Sequence, residues 1–397
     1  MIKHSKDIKI IDLGFHPYAD TFLRKDQLSN SEPIFQLSCY LSRKTGVIRN
    51  GIRTDEDSRY NLYDYSYTSS NSNYSKNYWE QYAKDISQEL NIKENFRILE
   101  IGSNDGYLLK CFKKYTSKIW GVDASKLMCK VSKKNKVKTL NLIFNLANSK
   151  KIKKEIGKFD IIISNNVLNH SNDVINFISG VKHLLNKNGF FIFELPYWYN
   201  LVLNEQFDQI YHEHVNYFTV KSSNFLLKKC GLQIIKIKET NYHGGCIRIY
   251  AKIGNNAKNN NLIKDYINKE NKLGLFNEKT YTKIMENLNK KKIIFLRKVI
   301  YFKSKNYKII GVGAAAKGNT FLNFLKLDNV LVDYITDSSE FKINKYTPVS
   351  RIPIKPDEFI KKIKGKICVI FLSWNLEKIL KPKISKYKKN IKFIKFF

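Results

Sequence analysis

Two stretches of this chain have the residue types and spacing for chemistry. The first is Glu100-Ile101-Gly102-Ser103-Asn104-Asp105-Gly106, two carboxylates set in a glycine-bracketed run. Glycine has no side chain to hold a ligand away, so backbone N–H groups can approach closely. A dinucleotide loop reads G-x-G-x-x-G and aims bare amides at a pyrophosphate. Here the run is E-x-G-x-x-x-G with an acid inside it. Two carboxylates repel a pyrophosphate and suit a ligand with an ammonium group; S-adenosylmethionine (SAM) carries an ammonium and a sulfonium. The second stretch is Ile210-Tyr211-His212-Glu213-His214, four titratable groups in a row in a chain with 7 His. On a helix Tyr211 and His214 share a face; on a strand His212 and His214 do. The H-x-H spacing also fits a metal, without a clear third and fourth ligand, and a plain surface turn is the bland reading.

The flanking elements would position these groups. Phe96-Arg97-Ile98-Leu99 reads as a buried parallel strand leading into the acid–glycine loop, and Tyr107 to Phe112 as the helix after it. Lys118 to Asp123 is a second apolar run ending in an acid, which in such a sheet can take both ribose hydroxyls. Phe159 to Asn166 is a third core strand whose polar end, Asn165, lies where open α/β sheets bind ligands. Each element alone also describes an α/β turn with no ligand. The three in order resemble the class I SAM-dependent methyltransferases, with cofactor residues Glu100, Gly102, Ser103, Asn104, Asp105, Gly106, Asp123 and Asn165. His170 closes Asn166-Val167-Leu168-Asn169-His170 directly after the third strand, where it would face the methyl donor.

At 397 residues the chain is long enough for two or three domains. Hydrophobic content of 43% is ample for folded cores. No apolar run is long enough to span a bilayer and no signal peptide is recognised, so a cytoplasmic location without a membrane partner is expected. Six scattered cysteines without paired spacing read as reduced, buried thiols. The net charge of +35 comes mostly from lysines spread over the whole length, without an Arg-rich tail. Composition bias and general steering of an anionic substrate account for this better than nucleic-acid recognition.

A second α/β unit begins at Lys308-Ile309-Ile310-Gly311-Val312-Gly313. Its turn, Gly311 to Thr320, is Gly-rich and opens a helix, but its spacing is not that of a P-loop. A pyrophosphate or carboxylate at that helix N-terminus and a tight turn without ligand are both open readings. His243 begins His243-Gly244-Gly245-Cys246, where a His beside two glycines is usually structural but its backbone could border an acceptor.

Taken in order, E-I-G-S-N-D-G, N-V-L-N-H, I-Y-H-E-H, H-G-G-C-I-R-I-Y, G-V-G-A-A-A-K-G-N-T and L-S-W-N (Leu372 to Asn375) resemble the C-methyltransferases that act on nucleotide-linked keto-deoxysugars. Asp12-Leu13-Gly14 and Tyr65 to Ser70 are similar to that family's N-terminal region, so the resemblance runs along nearly the whole chain. It implies an α/β fold with a central class I (Rossmann-like) sheet, a small N-terminal domain and a second, smaller Rossmann-like domain. The expected boundaries are 1–75, 76–254, a helical linker over 255–305, and 306–397. By the resemblance His214 is the general base that removes a proton beside a ketone. Tyr211 and Glu213 orient it or hydrogen-bond the sugar, and His170 and Tyr67 line the same pocket. His243, Lys317, Asn319 and Thr320 would hold the substrate. The expected partner is the nucleotide-linked keto sugar, not nucleic acid. Oligomeric state is open, with a monomer as the default.

One departure stands out. The family's N-terminal domain has a four-cysteine zinc site made of two C-x-x-C pairs. Here the first pair is absent and the second reads Cys39-Tyr40-Leu41-Ser42. A lone thiolate cannot close a tetrahedral site, so no structural zinc is expected, and the N-terminal fold should be looser or held by packing alone. The rival function is an RNA methyltransferase using the positive charge, which needs a basic groove with stacking aromatics. A non-catalytic relative is disfavoured by the intact loop and Y-H-E-H segment.

Overall fold

The computed structural model describes residues 7–61, 68–70, 72–254 and 260–397. Tyr67, expected in the acceptor pocket, lies outside the described residues, as do Tyr63 and Tyr65. Sixteen strands are present among the described residues. In chain order they are β1 (Ile8–His16), β2 (Phe35–Leu41), β3 (Ile48–Asn50), β4 (Ile98–Ile101), β5 (Ile119–Asp123), β6 (Thr139–Asn141), β7 (Phe159–Asn165) and β8 (Leu185–Pro196). There follow β9 (Asn216–Tyr217), β10 (Leu232–Thr240), β11 (Cys246–Ile253), β12 (Lys308–Val312), β13 (Tyr334–Asp337), β14 (Ile354–Pro356), β15 (Ile367–Phe371) and β16 (Lys392–Ile394).

The central sheet has seven strands in the order β10-β11-β8-β7-β4-β5-β6. Strands β4 to β8 pair in parallel, and β11 enters antiparallel between β8 and β10. Strand β4 is buried throughout and apolar except for Glu100, and β7 is apolar and buried at Phe159 and Ile161 to Ile163. That pattern follows from helices covering both faces of a parallel sheet. The chain reverses its winding direction at β4, and the carboxyl ends of β4, β5 and β7 open together there. The expected α/β class I methyltransferase sheet is thus present. The second sheet, β14-β13-β12-β15-β16, is entirely parallel. Between them lie the expected helices, Asn260–Lys272 and Glu278–Ser304.

The N-terminal sheet is better ordered than expected. Strands β1, β2 and β3 are antiparallel, and β9, directly after the Y-H-E-H segment, adds to β3. Its inward residues Ile11, Leu13, Leu37, Leu41 and Ile48 share one core with Tyr281, Leu288 and Phe295 of the long helix and Phe321 of the C-terminal unit. Cys39 sits in that core, fully buried beside the Tyr217 hydroxyl, and burial raises its thiol far above the usual range. Apolar burial is therefore what holds this sheet.

Candidate active site

The acid–glycine loop starts where β4 ends. Gly102 and Gly106 have φ of 74° and 75°, and Gly106 is the residue from which the helix Tyr107–Phe112 begins. A Cβ on Gly102 would stand 2.1 Å from Val167 Cγ2, so both conformation and space demand glycine. Asn104 also adopts a left-handed φ of 49°. The turn is pinned to β5: the amides of Gly102 and Ser103 donate to Val122 O (2.7 and 3.1 Å). Asn104 N donates to Asp123 Oδ2 (2.8 Å) and Ser125 N to Asp123 Oδ1 (2.8 Å). Asp123 therefore holds the loop in shape while its remaining lone pairs face the site.

The charge in this loop is unbalanced. Glu100 is buried, and its Oε2 has no hydrogen-bond partner. Burial, then the neighbouring carboxylates of Asp105 and Asp123, push its pKa well above the usual carboxylate range. Burial likewise raises Asp123 to about 6. Ser103 Oγ and Asn165 Nδ2 are also buried without partners, while Asn165 Oδ1 accepts Tyr82 Oη (3.2 Å). A ligand with cationic groups and hydroxyls satisfies every one of these atoms, so the residues fit SAM. Asp105 differs from its expected role. Its carboxylate accepts Ser69 Oγ (2.5 Å), Ser70 Oγ (2.6 Å), Ser70 N (3.0 Å) and Tyr107 N (3.1 Å). Asn104 Oδ1 accepts Ser69 N (2.9 Å). The loop thus clamps the segment at Ser69 and Ser70.

Val167 against Gly102 leads directly into the short 3-10 turn Leu168–His170. The His170 ring lies 5.0 Å from that of His214. The Y-H-E-H segment is neither helix nor strand but a turn closed by His214 N to Tyr211 O (3.0 Å). That turn brings residues three apart together, as a helix would. Tyr211 Oη is 2.7 Å from His214 Nε2, and His214 Nδ1 is 2.8 Å from Gln209 O. A carbonyl only accepts, so Nδ1 carries the hydrogen and the Nε2 lone pair faces the tyrosine hydroxyl. Burial lowers His214 to about 3, so the imidazole is neutral at physiological pH. His170 is also held well below its ordinary value, by burial, then His214 and Arg59.

His212 and Glu213 turn away from this pair. His212 Nε2 meets Phe35 O (3.2 Å), and its ring packs on Phe35 and Tyr18. The two His of H-x-H therefore do not converge, and among the described residues no cluster of His, Cys, Asp or Glu could hold a metal ion. Glu213 Oε1 accepts Asp20 N (2.9 Å), Oε2 is buried without a partner, and burial raises the carboxyl to about 7.

The other expected substrate residues lie in two separate segments, around His243 and around Lys317. His243 has φ 51° and precedes Gly244 and Gly245, where a Cβ would collide with Trp374 (2.9 Å) and Asn200 (2.4 Å). Gln209 Nε2 donates to His243 O (3.1 Å), so one residue fixes both histidines. Burial, then Lys317 and His214, lower His243 to about 3. Lys317 Nζ donates to Asn375 Oδ1 and stands 4.9 Å over the Trp374 ring. Burial lowers it to about 8 against the opposing pull of Asp208. Asn319 and Thr320 serve the assembly instead: Asn319 Nδ2 donates to Ala19 O (2.6 Å) and Thr320 Oγ1 to Ile210 O (3.2 Å). The Gly-rich turn before them already has an acid, since Ala314 N donates to Asp337 Oδ2 (2.7 Å).

Sequence reasoning missed Asp208 and Gln209. Trp374 Nε1 donates to Asp208 Oδ2 (2.6 Å), while Asp208 Oδ1 is buried without a partner. Their one signal was proximity to Y-H-E-H, in Phe207-Asp208-Gln209-Ile210.

The comparisons with known proteins agree with this geometry. A model described as a methyltransferase domain matches residues 74–237, and one described as a C-methyltransferase C-terminal domain matches residues 241–396. The chain is similar to the C-methyltransferase NovU of Streptomyces niveus, 23% identical over 377 residues, which span 94% of this chain and 88% of NovU. The ubiquinone biosynthesis O-methyltransferase of Pelagibacter ubique is 33% identical over 100 residues, 24% of this chain and 40% of that protein. Among solved structures, a SAM-dependent methyltransferase from Clostridium acetobutylicum is 18% identical and overlays 46% of this chain and 93% of its own, with a TM-score of 0.35. The protein is a SAM-dependent methyltransferase. Its residues 241–396 match the C-methyltransferase C-terminal domain, which follows the methyltransferase domain in this chain.

Proposed function

We propose that the enzyme methylates a carbon next to the ketone of a nucleotide-linked keto-deoxysugar, in the cytoplasm, on the way to a surface polysaccharide or other deoxysugar product. The observation that carries this reading is the Tyr211–His214 pair, 2.7 Å apart, with the His214 ring buried and neutral. Methylating oxygen or nitrogen needs a lone pair that already exists. Methylating carbon needs a C–H proton removed first, so a base fixed in the right tautomer is the distinguishing requirement. SAM supplies the electrophilic methyl group when bound.

The residues divide the work as follows. Gln209 holds the His214 Nδ1 hydrogen, leaving Nε2 free to receive a proton. The substrate proton passes to Nε2 through the Tyr211 hydroxyl that already donates there. Burial disfavours the imidazolium that results, and its proton is passed on after methyl transfer. Lys317, over Trp374, offers positive charge to the diphosphate, and His243 borders the sugar. The similarity to NovU across 94% of the chain supports a C-methylation reading. Incubation of pure protein with SAM and a panel of nucleotide-linked 4-keto sugars, followed by mass, tests it. A gain of one methyl on carbon is expected; transfer to a hydroxyl or amine would overturn it.

A further inference from the structure

We propose that Arg59 is a further catalytic residue: its buried guanidinium takes the acceptor's ketone oxygen and holds the negative charge that develops there as the neighbouring carbon loses its proton. This rests on the keto-sugar reading above.

The Arg59 side chain is completely buried near the end of the helix Glu56–Asn61. Its Nη2 donates to Asn172 Oδ1 (3.0 Å). The nearest carboxylate is Glu56 Oε1, 3.7 Å away, and that oxygen is itself occupied by Asn172 N (2.6 Å). Arg59 Nε and Nη1 have no hydrogen-bond partner among the described residues. Nearby in the chain from Asn172, Asn169 is buried with both amide atoms unpartnered. Leaving guanidinium donors dry and unpaired costs several kcal/mol. Arg248 is also buried and also has one unpartnered nitrogen, Nη1, but it is paired to Glu194 (2.8 Å), bonded to Tyr78 Oη (3.1 Å) and stacked 3.8 Å over Tyr82. Arg59 lacks such a close carboxylate.

Its place gives the reason. Arg59 lies within electrostatic reach of His170 and of Tyr18, and Tyr18 in turn feels Glu213. His170 is the neighbour of His214. Burial keeps His170, His214 and His243 neutral, so the histidines bring no charge to an enolate. Lys317 is engaged by Asn375 and faces Asp208. A guanidinium stays charged even when buried. In enolisation the C–H bond breaks and its proton goes to His214 by way of Tyr211. The bonding pair becomes the C–C π bond, and the carbonyl π pair moves onto oxygen. An unpartnered guanidinium N–H on that oxygen acts where charge develops, the most effective place for it.

The experiment is solvent deuterium exchange at the carbon beside the ketone, read by NMR without SAM. It compares full-length wild type, Arg59→Met and Arg59→Lys, with steady-state kinetics and thermal unfolding alongside. Wild type should exchange. Arg59→Met should lose exchange and kcat by about 10²–10³-fold, with KM for the sugar and SAM affinity little changed. Arg59→Lys should retain an intermediate rate, and millimolar guanidinium should restore part of the Arg59→Met activity. Its unfolding temperature should fall only slightly, because one hydrogen bond to Asn172 and a 3.7 Å pairing with Glu56 are lost while two unpartnered donors also go. A raised KM with unchanged exchange would mean that Arg59 binds the substrate's phosphates, and would overturn the proposal. So would loss of stability and SAM binding together, without rescue. Exchange absent in wild type would sink the keto-sugar reading and this inference with it; normal exchange in Arg59→Met sinks the inference alone.

Discussion

Tyr211 Oη lies 2.7 Å from His214 Nε2, and the opposite nitrogen of the same ring is held at 2.8 Å by Gln209 O. The ring is thus locked in one tautomer with its lone pair on a proton path. His214→Ala should lose turnover by about 10²–10⁴-fold, the usual contribution of a general base. It should also lose deuterium exchange beside the ketone, while SAM still binds. Tyr211→Phe should lose exchange to a similar degree, because the relay is broken. Exchange that persists in His214→Ala but vanishes in Tyr211→Phe or His170→Ala would reassign the base.

Asp123 accepts the amides of Asn104 and Ser125 and has lone pairs to spare for a ligand. Calorimetry on Asp123→Ala should show SAM affinity lower by on the order of 1–3 kcal/mol, the cost of leaving buried donors unpaired. Unchanged affinity would remove Asp123 from the site.

The clamp of Ser69 and Ser70 on Asp105 ties a segment far back in the chain to the cofactor loop. Ser69→Ala with Ser70→Ala strips two hydroxyl donors from a buried carboxylate. Denaturant unfolding should show a loss of about 1–3 kcal/mol, smaller when SAM is present. Equal losses with and without SAM would disconnect the clamp from the cofactor site.

Glu213 is raised from 4.5 to about 7, chiefly by burial. The native state therefore holds a proton that the unfolded chain releases between these values. Stability falls as pH rises from 4.5 to 7 and the loss is complete above 7. Glu213→Gln removes this loss. Relative to wild type it should gain on the order of 1–3 kcal/mol between pH 5 and pH 8. A pH-independent difference would mean that Glu213 is not protonated in the folded protein.

Cys39 lies in the N-terminal core against Tyr217, with burial raising its thiol far above the usual range. Protein purified without added metal should contain no stoichiometric zinc by elemental analysis, and EDTA should leave its unfolding temperature unchanged. Near-stoichiometric zinc would point back to Cys39 or the histidines.

Much of the fold follows from local chemistry, and so was legible in the chain itself. The apolar runs before Glu100, Asp123 and Asn165 are buried strands, and the glycines at 102 and 106 have the positive φ that the strand-to-helix turn requires. Periodicity, glycine and a terminal acid act within about ten residues, so neighbours in sequence are enough. The same holds for Tyr211 and His214, three residues apart on one turn. What a polar side chain faces is decided by packing between distant segments. Glu213 reaches an amide 193 residues earlier, Asn319 a carbonyl 300 residues away, and Asp105 two serines outside its own loop. The Y-H-E-H segment became a turn because β9, right after it, pairs with β3 while Thr320 holds Ile210 from the other side. The isolation of Arg59 is likewise invisible in sequence, since an unpaired donor shows only once the surrounding elements have excluded both water and partners.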